Sequence, residues 1–153
     1  MTTSTARRSY TIKEVAALTG LPASTLRYYE SIGVISPISR GASSKHRVYD
    51  EDDLDQLMWV ACLAATGLSV ADMRTYVANG RCGPEAAADQ VTLLTAQQAR
   101  LRAEAEHLAL RQRYVALKID YWRAVEAGAT DRAQEISVEA DRLADELRRG
   151  RTD

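Results

Sequence analysis

One stretch decides the fold predicted for this chain: Leu21-Pro-Ala-Ser-Thr-Leu-Arg-Tyr-Tyr-Glu-Ser-Ile-Gly33. Proline suits the first positions of a helix, and glycine suits the residue that ends one. At helical spacing, Leu26 and Ile32 face inward, whereas residues 27–29, an Arg-Tyr-Tyr triplet, face outward. The stretch therefore predicts a short helix that presents one guanidinium and two phenol groups to its surroundings.

A second short helix is predicted immediately upstream, in residues 11–20. Thr11 and Glu14 have the spacing of a capping box, and Gly20 can end the helix. Its inward-facing residues are Ile12, Val15, Ala16 and Leu18. Two short helices joined by a tight glycine-containing turn form a helix-turn-helix, whose second helix enters the DNA major groove. The alternative is a plain helical core, but the Arg-Tyr-Tyr triplet favours DNA because such groups contact phosphates and base edges.

The residues after this helix-turn-helix predict a β-wing. A short β-branched run, 34–38, precedes residues 39–49, whose Gly/Ser-rich middle is typical of a loop between two short strands. Four side chains on the wing have the reach or charge to hold phosphates: Arg40, Lys45, His46 and Arg47. The alternative is a solvated surface hairpin.

Composition and charge fit a folded protein with a basic N-terminal third. The chain has 153 residues, of which 46% are hydrophobic and 27% charged. Residues 1–49 carry seven Lys and Arg against two acids, and an acidic run at 50–55 follows, which suits a nucleic-acid-binding module. No apolar run is long enough to cross a membrane, and residues 1–9 are polar, predicted disordered and unlike a secretory signal. With only Cys62 and Cys82, we expect no disulfide framework and a cytoplasmic location.

Two further helices complete the predicted DNA-binding domain, residues 10–80. The third opens at the acidic run, ends at residues 66–67, and has a predicted inward face of Leu54, Leu57, Met58, Ala61, Cys62 and Ala65. Ser69 caps the fourth, whose buried stripe is Val70, Met73 and Val77, and which ends at the turn of residues 79–80.

The next segment, residues 81–127, predicts a coiled coil. No proline or glycine interrupts the chain between Pro84 and Ala127. Apolar residues alternate there by three and four, in a seam of Val91, Leu94, Gln98, Leu101, Ala105, Leu108, Gln112, Val115, Ile119 and Trp122. The two glutamines can fix the register. No other predicted helix matches this length, so we expect an antiparallel homodimer held by Leu94, Leu101, Leu108, Val115, Ile119 and Trp122, although periodicity alone does not choose antiparallel from parallel.

The remaining segment, residues 128–153, predicts a C-terminal helix that folds back on the long one. A second stripe of Leu110, Tyr114, Leu117 and Tyr121 can receive a helix at 130–149 through Ile136, Ala140, Leu143 and Leu147, with Gly128 in the hairpin. The predicted fold class is therefore mainly α: a winged helix-turn-helix, a long antiparallel coiled-coil helix and a short C-terminal helix.

Three motifs resemble the MerR family of transcriptional regulators: Tyr10-Thr-Ile-Lys-Glu-Val-Ala16, Thr25-Leu-Arg-Tyr-Tyr-Glu-Ser-Ile-Gly-Val-Ile35 and His46-Arg-Val-Tyr-Asp-Glu-Asp-Asp-Leu54. The resemblance covers residues 10–80 closely and the long helix in general form. It implies a dimer with two DNA-binding domains on an antiparallel coiled coil. Such regulators bind double-stranded promoter DNA whose −35 and −10 elements are too far apart, and the effector-bound dimer distorts that DNA so that RNA polymerase can read it.

The resemblance also implies roles for individual residues. Arg27 and Tyr28 match the recognition-helix contacts, Tyr29 a phosphate contact, and Thr11 an anchor on the DNA backbone. Arg47 matches the arginine of the wing motif, whereas Lys45 and His46 stand where many relatives have other residues. With Ser24 and Arg40, these residues complete the predicted DNA-binding set.

The nature of an effector is left open. Residues 62–73 and 117–121 resemble the aldehyde- and thiol-responsive branch of the family, in which Cys62 would be alkylated or oxidised. One alternative is that Cys62 is a buried small hydrophobe. Another is a drug-like or metabolite ligand held between the long and last helices by Tyr114, Tyr121 and Trp122, and a third is a regulator without an effector.

Other classes of function have less support in the sequence. Metal-sensing relatives use cysteines near Cys82 and in the following loop, but residues 127–132 contain neither Cys nor His, so we expect no metal and no cofactor. A helical adaptor, in which the coiled coil binds another protein, is the alternative from a different class. We expect no enzyme, because His46 and His107 have no assignable nucleophile or paired carboxylates.

Overall fold

The structure, a computed structural model, describes residues 7–150. The predicted disorder of residues 1–9 therefore falls mostly outside the described residues. The chain divides into two compact units, 1–94 and 95–153, whose boundary falls within the long helix. In the described part of the chain, no helix combines the length and apolar character needed to span a membrane.

The first helix, α1 (Ile12–Thr19), has the predicted capping box. Thr11 Oγ1 accepts from the Glu14 N–H at 3.2 Å, and the Glu14 carboxylate accepts from the Thr11 N–H at 2.8 Å. Val15 is fully buried, but the prediction that Leu18 faces inward is wrong, because Leu18 is 53% exposed. Ile12, Val15 and Ala16 are the α1 side chains that pack into the core.

The second helix, α2 (Ala23–Ser31), begins after Pro22 and ends before Gly33, whose φ is +77°. Leu26 is fully buried, as predicted. The prediction that Tyr29 faces outward is wrong, since only 7% of it is exposed. Tyr29 follows Leu26 by three residues, and residues at that spacing share a helix face, so both side chains enter the core.

The wing is a hairpin without regular strands in the described residues. Single antiparallel bridges join Arg40 to Arg47 and Tyr10 to Tyr49. The Gly41 N–H donates to the His46 carbonyl at 2.9 Å, and the Val48 N–H donates to the Ser39 carbonyl at 2.8 Å. The predicted pair of strands is therefore wrong in extent, because too few residues pair to form a ladder.

The next two helices are α3 (Glu51–Ala65) and α4 (Val70–Cys82), capped by Asp50 and Ser69. Met73 and Val77 are buried as predicted, but α4 continues past residues 79–80 and ends at Gly83, whose φ is +69°. The predicted inward face of α3 is partly wrong: Met58, Cys62 and Ala65 are exposed. Val60, which the predicted face did not include, is fully buried with Leu57. The buried face of α3 is therefore rotated about the helix axis, away from Met58 and towards Val60.

The remaining helices form a hairpin. A 3₁₀ turn (Gly83–Ala86) leads into α5 (Ala87–Glu126), a helix of 40 residues, or about 60 Å at 1.5 Å per residue. After Gly128, with φ +70°, α6 (Thr130–Arg149) packs back on α5. The α6 side chains Ala133, Ile136, Ala140 and Leu143 are buried, and Leu117 and Tyr121 of α5 pack beside Ala133 and Ile136. The predicted C-terminal hairpin is confirmed.

The apolar seam of α5 has no cover within the described chain. Its large apolar side chains are between 38% and 65% exposed: Val91, Leu94, Leu101, Leu108, Val115, Ile119 and Trp122. Burying apolar surface is the main favourable term in helix association. The seam is therefore suited to a second helix from outside the chain.

Candidate nucleic-acid interface

The start of α1, the exposed face of α2 and the wing together line one cleft of about 270 Å³. Its lining residues are Thr11, Ile12, Lys13, Arg27, Arg40, His46 and Arg47. The structure thus brings together five predicted DNA-binding residues from three separate stretches of sequence. Sequence reasoning missed Lys13, although its place in the first turn of α1, two residues after Thr11, was a usable signal.

The α1 end of the cleft is a helix N-terminus. The Glu14 carboxylate accepts from both the backbone N–H and the hydroxyl of Thr11, at 2.8 and 3.2 Å. The amides of Ile12 and Lys13, in the first turn, have no acceptor within the helix. An anionic group at this end would therefore contact main-chain amides and the Lys13 ammonium. Thr11 itself acts mainly as the N-cap of α1.

The outer face of α2 carries the predicted recognition side chains. Ser24, Arg27 and Tyr28 are all exposed, and their spacing of three and four residues places them on one face. Tyr28 is 51% exposed, and its ring centroid lies 6.3 Å from that of the buried Tyr29. This face offers a guanidinium, a phenol and a hydroxyl side by side.

A partly buried ion pair joins the wing to α2. Arg47 Nε donates to Glu30 Oε2 at 2.5 Å, and the two side chains are only 20% and 14% exposed. Glu30 also accepts from the Ile38 N–H at 3.1 Å. Burial alone would raise the pKa of the Glu30 carboxyl, but the hydrogen bonds from Arg47 and Ile38 outweigh it and hold that pKa below its ordinary value. The sequence analysis did not predict that Arg47 pairs with Glu30. The only signal was that Glu30 is an acid within a basic stretch of sequence.

The tip of the wing carries its exposed charges. Arg40 Nη1 donates to the Lys45 carbonyl at 3.3 Å, while Arg40, Lys45 and His46 are exposed. Lys45 has φ +54°, in the left-handed region that non-glycine residues rarely adopt. A Cβ at Gly41 would lie 2.7 Å from the Ser44 hydroxyl, so a larger residue there would require the Ser44 side chain to rotate. The tight turn thus leaves the cationic side chains exposed at the tip of the wing.

Beneath the wing, Tyr49 is fully buried, and its hydroxyl has no hydrogen-bond partner among the described residues. Burial raises the pKa of this phenol. Its backbone pairs with Tyr10 in both directions, at 2.8 and 2.9 Å. Tyr49 therefore fastens the end of the wing to the segment preceding α1, at the cost of one unsatisfied polar atom.

The two effector hypotheses fall on different units. Cys62 is exposed on α3, so the alternative of a buried hydrophobe does not hold for the single chain. Tyr114 and Trp122 line a groove of about 440 Å³ at the C-terminal end of α5, but Tyr121 packs in the hairpin with α6 instead. Tyr121 does not line this groove, but its ring centroid lies 5.2 Å from that of Trp122. Lys118 Nζ lies 5.5 and 5.9 Å from the ring centroids of Tyr114 and Tyr121, so the three predicted pocket aromatics are neighbours. Within residues 7–150, no three His, Cys, Asp or Glu side chains cluster in a way that could hold a metal ion.

Comparison with known proteins identifies the N-terminal unit. The family model described as "MerR HTH family regulatory protein" matches residues 10–79. Residues 10–79 are thus a helix-turn-helix domain of the MerR type. The MerR-family match covers the described helix-turn-helix, the wing and most of α4.

Several relatives share this domain. The HTH-type transcriptional regulator AdhR of Bacillus subtilis is 42% identical over 65 residues, which are 42% of this chain and 46% of AdhR. The regulator SkgA of Caulobacter vibrioides is 31% identical over 100 residues, which are 65% of this chain and 36% of SkgA. The chain spans about half or less of the length of the first of these curated relatives.

Two solved structures match more of the fold. A MerR family regulator from Listeria monocytogenes has a TM-score of 0.65 at 28% identity, covering 85% of this chain and 98% of that one. HiNmlR, described as a MerR family regulator lacking the sensor domain and bound to promoter DNA, has a TM-score of 0.61, covering 84% and 96%. At 23% identity, HiNmlR shows the shared fold alone.

Proposed function

We propose that this protein is a homodimeric MerR-family transcriptional regulator that binds double-stranded promoter DNA. The observation that carries the proposal is the basic cleft, in which the α1 N-terminus, Arg27 and the wing cations converge. Cationic groups and helix N-terminal amides contact phosphates, and an exposed helix face reads base edges. HiNmlR, which has the same fold, is bound to promoter DNA.

The residues in and around the cleft divide by role. Arg27, Tyr28 and Ser24 on α2 enter the major groove, and Arg27 provides the fork that guanine accepts. Arg40, Lys45 and His46 hold phosphates from the wing, while the α1 N-terminus holds another. Arg47 positions the wing through Glu30 and adds charge to the cleft. Tyr29 is left out of the contact set because it lies in the core.

The dimer forms through the exposed seam of α5. Antiparallel pairing of two 40-residue helices places one DNA-binding unit at each end of the coiled coil. Two such units meet two half-sites of one duplex, and bending the DNA between them aligns the −35 and −10 elements for RNA polymerase. The promoter, the polymerase and a second copy of the chain are the proposed partners.

For the effector, exposure of Cys62 favours a thiol-reactive signal. An aldehyde or other electrophile would modify the Cys62 thiol and change the geometry of the bound DNA. The alternative is an uncharged ligand in the groove of Tyr114 and Trp122. In vitro transcription from the protein's own promoter, with and without an aldehyde, tests the first proposal. We expect Cys62→Ser to abolish the response and Cys82→Ser to preserve it; an equal response of wild type and Cys62→Ser would contradict it.

Binding to a labelled fragment of its own promoter tests the main proposal. Arg27→Ala should cost about 1–3 kcal/mol of specific binding, measured by fluorescence anisotropy, because one bidentate base contact has that value. The matched control is Arg74→Ala, which removes the same charge from α4, outside the cleft. Equal operator affinity of Arg27→Ala and wild type would refute the assigned role. Binding that is weak for every sequence and vanishes with salt would favour the adaptor alternative.

A further inference from the structure

Two charged side chains, Glu104 and Arg111, lie beside the middle of the seam on α5. Both are exposed, and both line a groove of about 700 Å³ together with the seam residue Leu108. Within residues 7–150, neither side chain forms an ion pair. They cannot pair with each other in one chain, because residues seven positions apart are about 10 Å apart along a helix at 1.5 Å per residue. Their charges are therefore free to meet a partner from outside the chain.

The position of these side chains relative to the seam follows from the heptad pattern. In a heptad labelled a to g, the seam occupies positions a and d, so that Ala105 is at a and Leu108 is at d. Glu104 and Arg111 both fall at position g, which borders the seam. Leu117, which packs beside α6, falls at position f on the opposite side of α5. Charges at e and g form the ion pairs between coiled-coil helices that set partner choice and orientation.

Antiparallel pairing of two copies has a single point of symmetry on α5. The seam is centred between Glu106 and His107, which is also the midpoint of α5 (Ala87–Glu126). Turning a second copy end for end about this point places Ala105 opposite Leu108 of the partner subunit, so that the a positions of one helix meet the d positions of the other. Every seam residue then meets a seam residue, and the two 40-residue helices overlap along their whole length.

The same register brings opposite charges together at the edge of the seam. Glu104 directly precedes Ala105, and Arg111 follows Leu108 by three residues. Glu104 and Arg111 of the partner subunit therefore flank the same layer of the coiled coil. We propose that these two side chains form an ion pair, made twice by the twofold symmetry, which selects the antiparallel orientation and a second copy of this chain as the partner. The ion pair rests on the proposed dimer.

The parallel orientation gains nothing from the same charges. In a parallel pair, a residue at g faces the partner's residue at e, five positions further along. Glu104 would then face the uncharged Ala109 of the partner subunit, and Lys118 would face Arg123 of the partner subunit, a like charge. Exposed ion pairs individually contribute little to stability. Orientation and partner choice, however, depend only on the difference between the alternatives, which these edge charges supply.

Charge reversal tests the pairing in the full chain. Glu104→Arg places two guanidinium groups at each pairing position, and Arg111→Glu places two carboxylates there. Each variant should raise the dissociation constant of the dimer about tenfold in analytical ultracentrifugation, because attraction becomes repulsion at two symmetric positions. The double variant restores opposite charges and should return the dissociation constant to nearly the wild-type value. Glu106→Arg is the matched control, since Glu106 falls at position b, away from the seam, and it should leave the dissociation constant nearly unchanged.

Mixing the two single variants gives the sharpest result. A mixed dimer has opposite charges at both pairing positions, whereas each homodimer has like charges at both. Native mass spectrometry of an equimolar mixture should therefore show mainly the heterodimer, well above the half expected from random pairing. The preference should weaken in about 1 M salt, where the Debye length falls to about 3 Å.

The contrary outcomes separate the charge pairing from the dimer. Wild-type affinity of both single variants, or random mixing of the two, refutes the pairing while leaving the dimer intact. A double variant as weak as the single ones means that the two side chains do not meet each other, which also overturns the proposal. A monomeric wild type refutes the dimer on which the proposal rests.

Discussion

The ion pair between Glu30 and Arg47 gives the sharpest test of how the DNA-binding unit is held together. Glu30→Gln keeps the size of the side chain and an oxygen that can still accept from the Ile38 N–H, but it removes the negative charge beside Arg47. The pair is neither fully buried nor exposed, with side chains 14% and 20% accessible. Removing one partner of a fully buried pair costs about 3–5 kcal/mol, whereas an exposed pair contributes about 0–1 kcal/mol. We therefore expect Glu30→Gln to cost about 1–2 kcal/mol at pH 7.

The pH dependence of that loss identifies its cause. The pKa of Glu30 is lowered in the folded protein, so its ionised form stabilises the fold above the unfolded pKa, about 4.3. This contribution disappears as the pH falls from there through the lower folded pKa. The difference in unfolding free energy between wild type and Glu30→Gln should thus be full near neutrality and shrink below about pH 4.3. Asp53, whose pKa burial raises, has the opposite sign but is present in both proteins and cancels in the difference.

Urea unfolding followed by circular dichroism at pH 7 and at several pH values below 4.5 measures this difference. Glu85→Gln is the matched control, because Glu85 is an exposed acid in the same unit. It should change the unfolding free energy by a few tenths of a kcal/mol at most. Equal stability of Glu30→Gln and wild type at pH 7, or a difference that does not depend on pH, would refute the reasoning.

Two further predictions concern the seam and the buried phenol. Leu101→Lys together with Leu108→Lys should convert the dimer to a monomer by light scattering without loss of helix content, because both side chains are exposed in the single chain, at 38% and 49%; a dimeric mass would count against the seam. Tyr49→Phe removes a buried hydroxyl without a partner and should be neutral or stabilise the fold by about 1 kcal/mol in thermal denaturation; a large loss of stability would mean that the hydroxyl is satisfied.

The sequence predicted the helices and most of their ends, the end of α4 excepted, because these depend on local rules. The capping box at Thr11, the cap at Ser69 and the glycine hairpin at Gly128 each follow from a few adjacent residues, and all are present. The face of α3 was harder, because Val60 and Met58 are both apolar and only the packing against α1 and α4 decides which one is buried. The length of the two wing strands was overestimated, because strand pairing depends on residues from both sides of the hairpin and not on either side alone.

For the candidate site, the sequence predicted which side chains are exposed better than it predicted which side chains contact one another. Arg27 and Tyr28 were predicted to face outward from a short helix, and both are exposed there. The pairing of Glu30 with Arg47 could not be predicted in this way, since it joins residues 17 apart across a turn that no periodicity describes. The prediction for Tyr29 was wrong for a related reason. Three consecutive residues of a helix point in different directions, so they cannot all face outward.

These contacts give the proposed effector step a physical route to the DNA. Glu30 holds the wing to α2, so the two DNA-contacting elements tilt together and not separately. Gln90 fastens the start of α5 to α4, and α4 packs on α3, so the seam begins on the same compact unit that carries the cleft. An adduct at Cys62 would add bulk to the exposed side of α3 in that same unit. The tilt of each unit on its half-site would then change, and a bound duplex responds to such a change through its bend and twist.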